Sequence, residues 1–174
     1  ALGDILINIE GTTLINASNS LPDNNNGGMS ISGGNYDNNI VLNLAETATL
    51  SLIGSNDDGY ANGLDVTNGD NLLNFQGMLE IQGYRSGIFT GYGNVNINIL
   101  NPDSHITATA IGIDVYAPGD FVSVYNAGEI TAGMNGISIY TKSEIKSSHI
   151  VNTGKIITRG TDDQSSSGIV TGGM

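Results

Sequence analysis

The sequence predicts an all-β chain: a single-stranded parallel β-helix, or solenoid, with three short strands in each coil of about 24 residues. Three observations carry that prediction. One phrase keeps returning: Gly63-Leu64-Asp65-Val66, Gly87-Ile88-Phe89-Thr90, Gly112-Ile113-Asp114-Val115, Gly136-Ile137-Ser138-Ile139 and Gly168-Ile169-Val170-Thr171, with Gly28-Met29-Ser30-Ile31 as an earlier copy. From Gly63 its glycine advances by 24, 25 and 24 residues to Gly136, and then by 32 to Gly168. A fixed period with enlarged steps at the ends is the mark of a repeat array carrying loop insertions. Second, each period contains alternating apolar and polar residues in three places, the pattern of half-buried strands. Third, apolar residues do not recur at the three- and four-residue spacing of a helix face.

Within a period, the positions one and three after the glycine are apolar, as in Leu64/Val66, Ile113/Val115 and Ile137/Ile139. Ten and twelve after it come Leu73/Phe75, Ile97/Ile99 and Val122/Val124, a second strand. A third starts near Ile81, Ile106 and Ile130.

In chain order, Ile5 to Ile9 and Thr13 to Asn16 read as two opening strands split by Gly11. Residues 21–28 form a turn-rich string that ends in two glycines. Strands near Ile40 to Leu44 and Thr49 to Ile53 follow, and an insertion at 55–59 absorbs part of the long first step. The one extra residue after Gly87 falls at Asn101-Pro102-Asp103-Ser104, where proline cannot donate to a ladder. The last step places two extra residues within Thr141 to His149 and six at 161–166. Residues 1–174 read as one domain of roughly seven coils, a rod on the order of 34 Å at about 4.8 Å per coil. The final coil opens without a polar cap, so a fragment or a stacking unit is expected.

Acidic residues outnumber basic ones 17 to 5, for a net charge of −12. That balance argues against nucleic acid or an anionic bilayer as the partner. With no cysteine, neither a disulfide nor a thiolate metal site can form. No run approaches the ~20 apolar residues of a membrane helix.

Several rows carry candidate chemistry. Tyr116 and Tyr140 should stack on neighbouring coils with Phe89 and Tyr92 one coil away, either as packing or as a contact surface. Asp114 shares an outward column with Asp65, Phe89 and Ser138. Asp65 and Asp114 would lie about 9.6 Å apart at 4.8 Å per coil, at the edge of the ~6.5–9.5 Å of inverting glycosidases. Phe89 stands between them, however, and no basic residue recurs beside them. Asn101, Asn126 and Asn152 are expected to form an amide ladder that satisfies turn groups. Asp57-Asp58 and Asp162-Asp163 offer oxygen ligands for calcium but match no calcium-loop pattern, so no cofactor or metal site is assigned. His105 and His149 fall in different coils and registers.

The segments Val124-Tyr125-Asn126-Ala127-Gly128-Glu129-Ile130 and Val151-Asn152-Thr153-Gly154-Lys155-Ile156, each followed by a Gly-Ile pair, resemble the coils of autotransporter passenger domains. The likeness covers roughly residues 60–174. It implies a right-handed β-helix of the pectin-lyase-like class, secreted or displayed on a bacterial surface. It also implies a non-enzymatic role in adhesion, self-association or biofilm formation, with itself or a host or bacterial protein or glycan as partner. A polysaccharide lyase or hydrolase of the β-helix class is the alternative expectation, and an end-to-end stacking fibre subunit a further one.

Overall fold

A computed structural model describes residues 4–17, 27–33, 38–55, 61–116, 119–141, 147–160 and 166–173. The described residues form strands, turns and bends, with no helix among them. β1 (Ile5–Ile9) and β2 (Thr12–Asn16) come first, then β3 (Met29–Ser32), β4 (Asn39–Leu44) and β5 (Thr49–Ile53). β6 (Asn62–Thr67), β7 (Asp70–Phe75), β8 (Met78–Gly91) and β9 (Val95–Ile99) occupy the middle. β10 (His105–Tyr116), β11 (Phe121–Asn126), β12 (Glu129–Ala132) and β13 (Asn135–Thr141) follow, and β14 (Ser147–Asn152), β15 (Lys155–Thr158) and β16 (Ser167–Gly173) end the chain.

These strands make two sheets in which every described pairing is parallel. One is six-stranded, in the order β1-β4-β7-β9-β11-β14. The other holds the remaining ten, with β8 and β10 each long enough to pair twice along their length: β8 with β5 and β6, β10 with β12 and β13. Those two long strands differ from the expectation of three separate short strands per period. The chain passes from one pairing segment to the next without a loop, and a bulge absorbs the bend. Gly83, at φ 79°, sits where the β8–β10 register shifts between Thr107 and Ala108.

Parallel pairing lays equivalent residues in rows. Ile7, Leu42, Leu73, Ile97, Val124 and Ile150 form one row, and Leu52, Ile81, Ile106, Ile130 and Ile156 another. Leu64, Ile88, Ile113, Ile137 and Ile169 make a third. Most members of these rows are wholly buried, and Ile169 is exposed. Each fully buried aliphatic side chain contributes about 1.5–3 kcal/mol over the exposed state. Tyr84 fills the corner beside the bulge, its ring packed where Gly28, Gly54 and Gly63 leave room. Its hydroxyl is buried with no hydrogen-bond partner among the described residues, and burial raises the phenol pKa.

The register locates the insertions. In the step from Gly28, residue offsets fall from 35 at Met29/Leu64 to 31 at Ile40/Asn71, 29 at Leu50/Leu79 and 24 at Asn62/Ser86. The surplus is therefore split over three connections, between β3 and β4, β4 and β5, and β5 and β6, the last of which contains 55–59. The offset moves from 24 at Phe75/Ile99 to 25 at Glu80/His105, which puts the extra residue at 100–104. In the last step it rises to 26 before Ser147 and to 32 before Ser167. Residues 18–26, most of 55–59 and 161–165 lie outside the described residues.

One alignment differs. Val122 lies opposite Val95 and Val124 opposite Ile97, two residues from the match made by counting from the glycine. The connection between Tyr116 and Phe121 holds two more residues than its predecessor, because the offset rises from 25 at Gly91/Tyr116 to 27 at Val95/Val122. A two-residue slip keeps every side chain on its own face, so the core is unaffected.

Candidate functional site

The recurring glycine sets the position of the strand that carries the aromatic candidates. A β-carbon placed on Gly112 would lie 2.6 Å from the Gly136 carbonyl oxygen and would overlap Ile130 Cγ2. Gly87 and Gly136 are confined in the same way by the next glycine's carbonyl and by an isoleucine methyl. The glycines are therefore required by the close approach of backbone and core. Gly168 is different: its nearest such neighbour, Ile156 Cγ2, is 3.9 Å away.

Four residues beyond this corner the side chains point outward. Tyr116 on β10 lies opposite Tyr140 on β13, and their rings stack with centroids 5.4 Å apart and planes 5° from parallel. Phe89 on β8 stacks more loosely on Tyr116 at 6.5 Å and 24°, and Tyr92 meets Tyr116 edge-on at 6.0 Å. Such ring pairs contribute about 0.5–1.5 kcal/mol beyond area burial. Tyr92 has φ 62°, a left-handed backbone. One repeat earlier the matching place is held by Asn68, also at φ 62°, and asparagine tolerates that region far better than a bulky ring.

Asp114 lies in the row between Phe89 and Ser138. Removal from water beside these rings pushes its carboxyl up to about 6, against a smaller downward pull from Arg85. Asp65, on the far side of Phe89, accepts a 3.0 Å hydrogen bond from Asn62 Nδ2. Phe89 separates the two carboxylates, as the order of the column implied.

The expected asparagine row is only partly assembled. Asn126 lies opposite Asn152 and donates to its Oδ1 at 2.8 Å. Each closes its own tight turn, Asn126 through the Gly128 backbone and Asn152 through the Gly154 carbonyl. Asn101 stands apart. Ile99 occupies the place opposite Asn126, and Asn101 accepts from the Asp103 backbone inside its own longer turn. Counting from the glycine missed this because it assigned equal lengths to unequal turns.

A longer amide ladder runs along the outside of the six-stranded sheet. Asn43, Asn74 and Asn98 each donate through Nδ2 to Oδ1 of the preceding asparagine, beginning with Asn8, at 3.0, 3.0 and 2.8 Å. The signal was present in the sequence: Asn74 and Asn98 separate the apolar pairs of the second strand. A cleft of about 320 Å³ lies on the same face, with Val41, Leu72, Asp70, Asn94, Asn96 and Phe121 in its lining.

Among the described residues no cluster of three histidine or acidic side chains could hold a metal ion. His105 lies between Glu80 and Glu129 on one sheet, while His149 lies opposite Ser123 on the other. Asp57-Asp58 and Asp162-Asp163 fall outside the described residues. No helix among the described residues is long and apolar enough to cross a membrane. In comparisons with known proteins, no family model, curated protein or solved structure matches the chain.

Proposed function

We propose that the chain is a single-stranded right-handed β-helix that mediates adhesion or self-association at a bacterial surface or in the extracellular space, without chemical turnover. The near-constant offset of 24 to 27 residues between neighbouring rows of the middle repeats supports the winding. The observation that carries the function is the outward aromatic cluster of Phe89, Tyr92, Tyr116 and Tyr140 around half-buried Asp114. Rings of this kind give large contact area at low conformational cost. Tyr92 keeps a left-handed backbone to take part, and local strain of that kind marks sites held for a purpose other than stability.

Sedimentation over a wide dilution series tests the reading, together with retention on cell surfaces. Mass that grows with concentration, or retention on cells, should be lost in a Tyr116→Ala/Tyr140→Ala variant. A particle that stays monomeric and is not retained would overturn it. So would release of new chain ends from acidic polysaccharide that disappears in Asp114→Ala, since that would make the protein an enzyme.

A further inference from the structure

We infer that the outer face of the six-stranded sheet holds a second binding site, one that takes a single pyranose ring of a neutral glycan against Phe121 and a Val41–Leu72 floor. Val41 and Leu72 are neighbours in one outward row, which continues into Asn96. Phe121, 38% exposed, stands at the edge of the 320 Å³ cleft. That volume sits at the lower end of small-molecule sites, the size class of one sugar ring rather than a folded partner.

The polar rim is fixed in advance. Asp70 accepts from the Asn94 backbone at 2.8 Å and from Asn94 Nδ2 at 3.1 Å, and Asn94 Oδ1 in turn accepts from the Phe121 backbone at 3.0 Å. One chain of hydrogen bonds therefore ties the rim to the aromatic wall. Asn96 Oδ1 has no partner among the described residues, but it is shielded from the cleft and is not a ligand contact.

A pyranose answers the apolar floor, the aromatic wall and the polar rim. Its C–H face suits an aromatic ring and an aliphatic floor, while its hydroxyls both donate and accept, as a carboxylate and amides at a rim require. A neutral sugar is favoured over an anionic one because Asp70 and the net charge of −12 repel anions. A free cation would meet a single carboxylate in the lining of the cleft, too few charged ligands to hold it. This site is separate from the tyrosine cluster, which lies on the other sheet.

Saturation-transfer NMR on the full chain would use methyl glucoside, methyl galactoside, methyl mannoside and N-acetylglucosamine as probes, with glucuronate and a blocked neutral peptide alongside. At least one neutral sugar should receive saturation. Its affinity should fall at least tenfold in Phe121→Ala and also in Phe121→Leu, which keeps apolar bulk if alanine harms folding. Tyr116→Ala should leave sugar binding unchanged, so this inference and the tyrosine reading can fail independently. No transfer to any neutral sugar, preference for glucuronate or the peptide, or binding that survives both Phe121 substitutions would overturn it.

Discussion

The strands that carry the asparagine ladder and the strands that carry the tyrosines share parallel main-chain ladders but reinforce their register by different means. Along β1, β4, β7 and β9 the side chains add to it: each amide of Asn8, Asn43, Asn74 and Asn98 bonds to the next, and these strands contain no glycine. Along β8, β10 and β13 the main chain does it, because Gly87, Gly112 and Gly136 bring each backbone so near the next that a methyl would not fit. Where close backbone packing reinforces the register, outward side chains need not do so. Asp114, Tyr116 and Tyr140 stand on such strands, which is why the contact surface is assigned there.

The contrast can be broken most sharply at its glycines. Gly112→Ala should cost roughly 3 kcal/mol or more, the upper range for overpacking, since both obstructing groups belong to backbone or core. Gly168→Ala should change stability by less than about 0.5 kcal/mol. Thermal unfolding of the two variants measures the difference, and equal losses would remove the backbone-register argument.

Next in size is Asp114→Asn. The folded carboxyl is raised to about 6 from 3.8. Its stabilising contribution is therefore complete below pH 3.8 and lost as the pH rises to about 6, because the unfolded state ionises first. The asparagine variant should gain on the order of 3 kcal/mol relative to the native chain across that window and hold the gain at pH 7. Denaturant midpoints at pH 4 and pH 7 would reveal this; a constant difference between the two proteins would contradict it.

On the ladder side, Asn74→Leu leaves Asn43 and Asn98 each without one partner, for an expected loss of about 1–2 kcal/mol. Solvent reaches both half-exposed neighbours and limits the cost. Chemical denaturation is sufficient to detect it. The smallest net effect is that of Tyr92→Asn. Relief of a left-handed tyrosine is offset by loss of the edge-on ring contact with Tyr116, so stability should stay within about 0.5 kcal/mol while self-contact or surface retention weakens. Contact unaltered in this variant would leave Tyr92 no place in the surface.

Much of this architecture could be read from residue order. Strand positions, the all-parallel pairing implied by one phrase recurring at 24 residues, and the Tyr116–Tyr140 stack follow from the repeat. Side-chain parity made the core reading tolerant of error: the slip at Val122 changes its partner from Ile97 to Val95 but leaves it inside. Rows at turn margins had no such protection. Asn101 and Asn126 are each fourteen residues beyond their glycines, yet the turns before and after β11 differ in length from those flanking β9, and the two asparagines never meet. The upward shift at Asp114 was also hidden, because it comes from burial beside neighbouring rings.

The account is tested most directly by comparing sedimentation of three proteins over one dilution series: the native chain, Tyr116→Ser/Tyr140→Ser and Asn74→Leu. A native chain and ladder variant that both grow in mass with concentration, beside a tyrosine variant that stays monomeric, is the predicted result. Association that persists without the tyrosines, or that is lost with the ladder alone, would contradict the assignment of the contact surface.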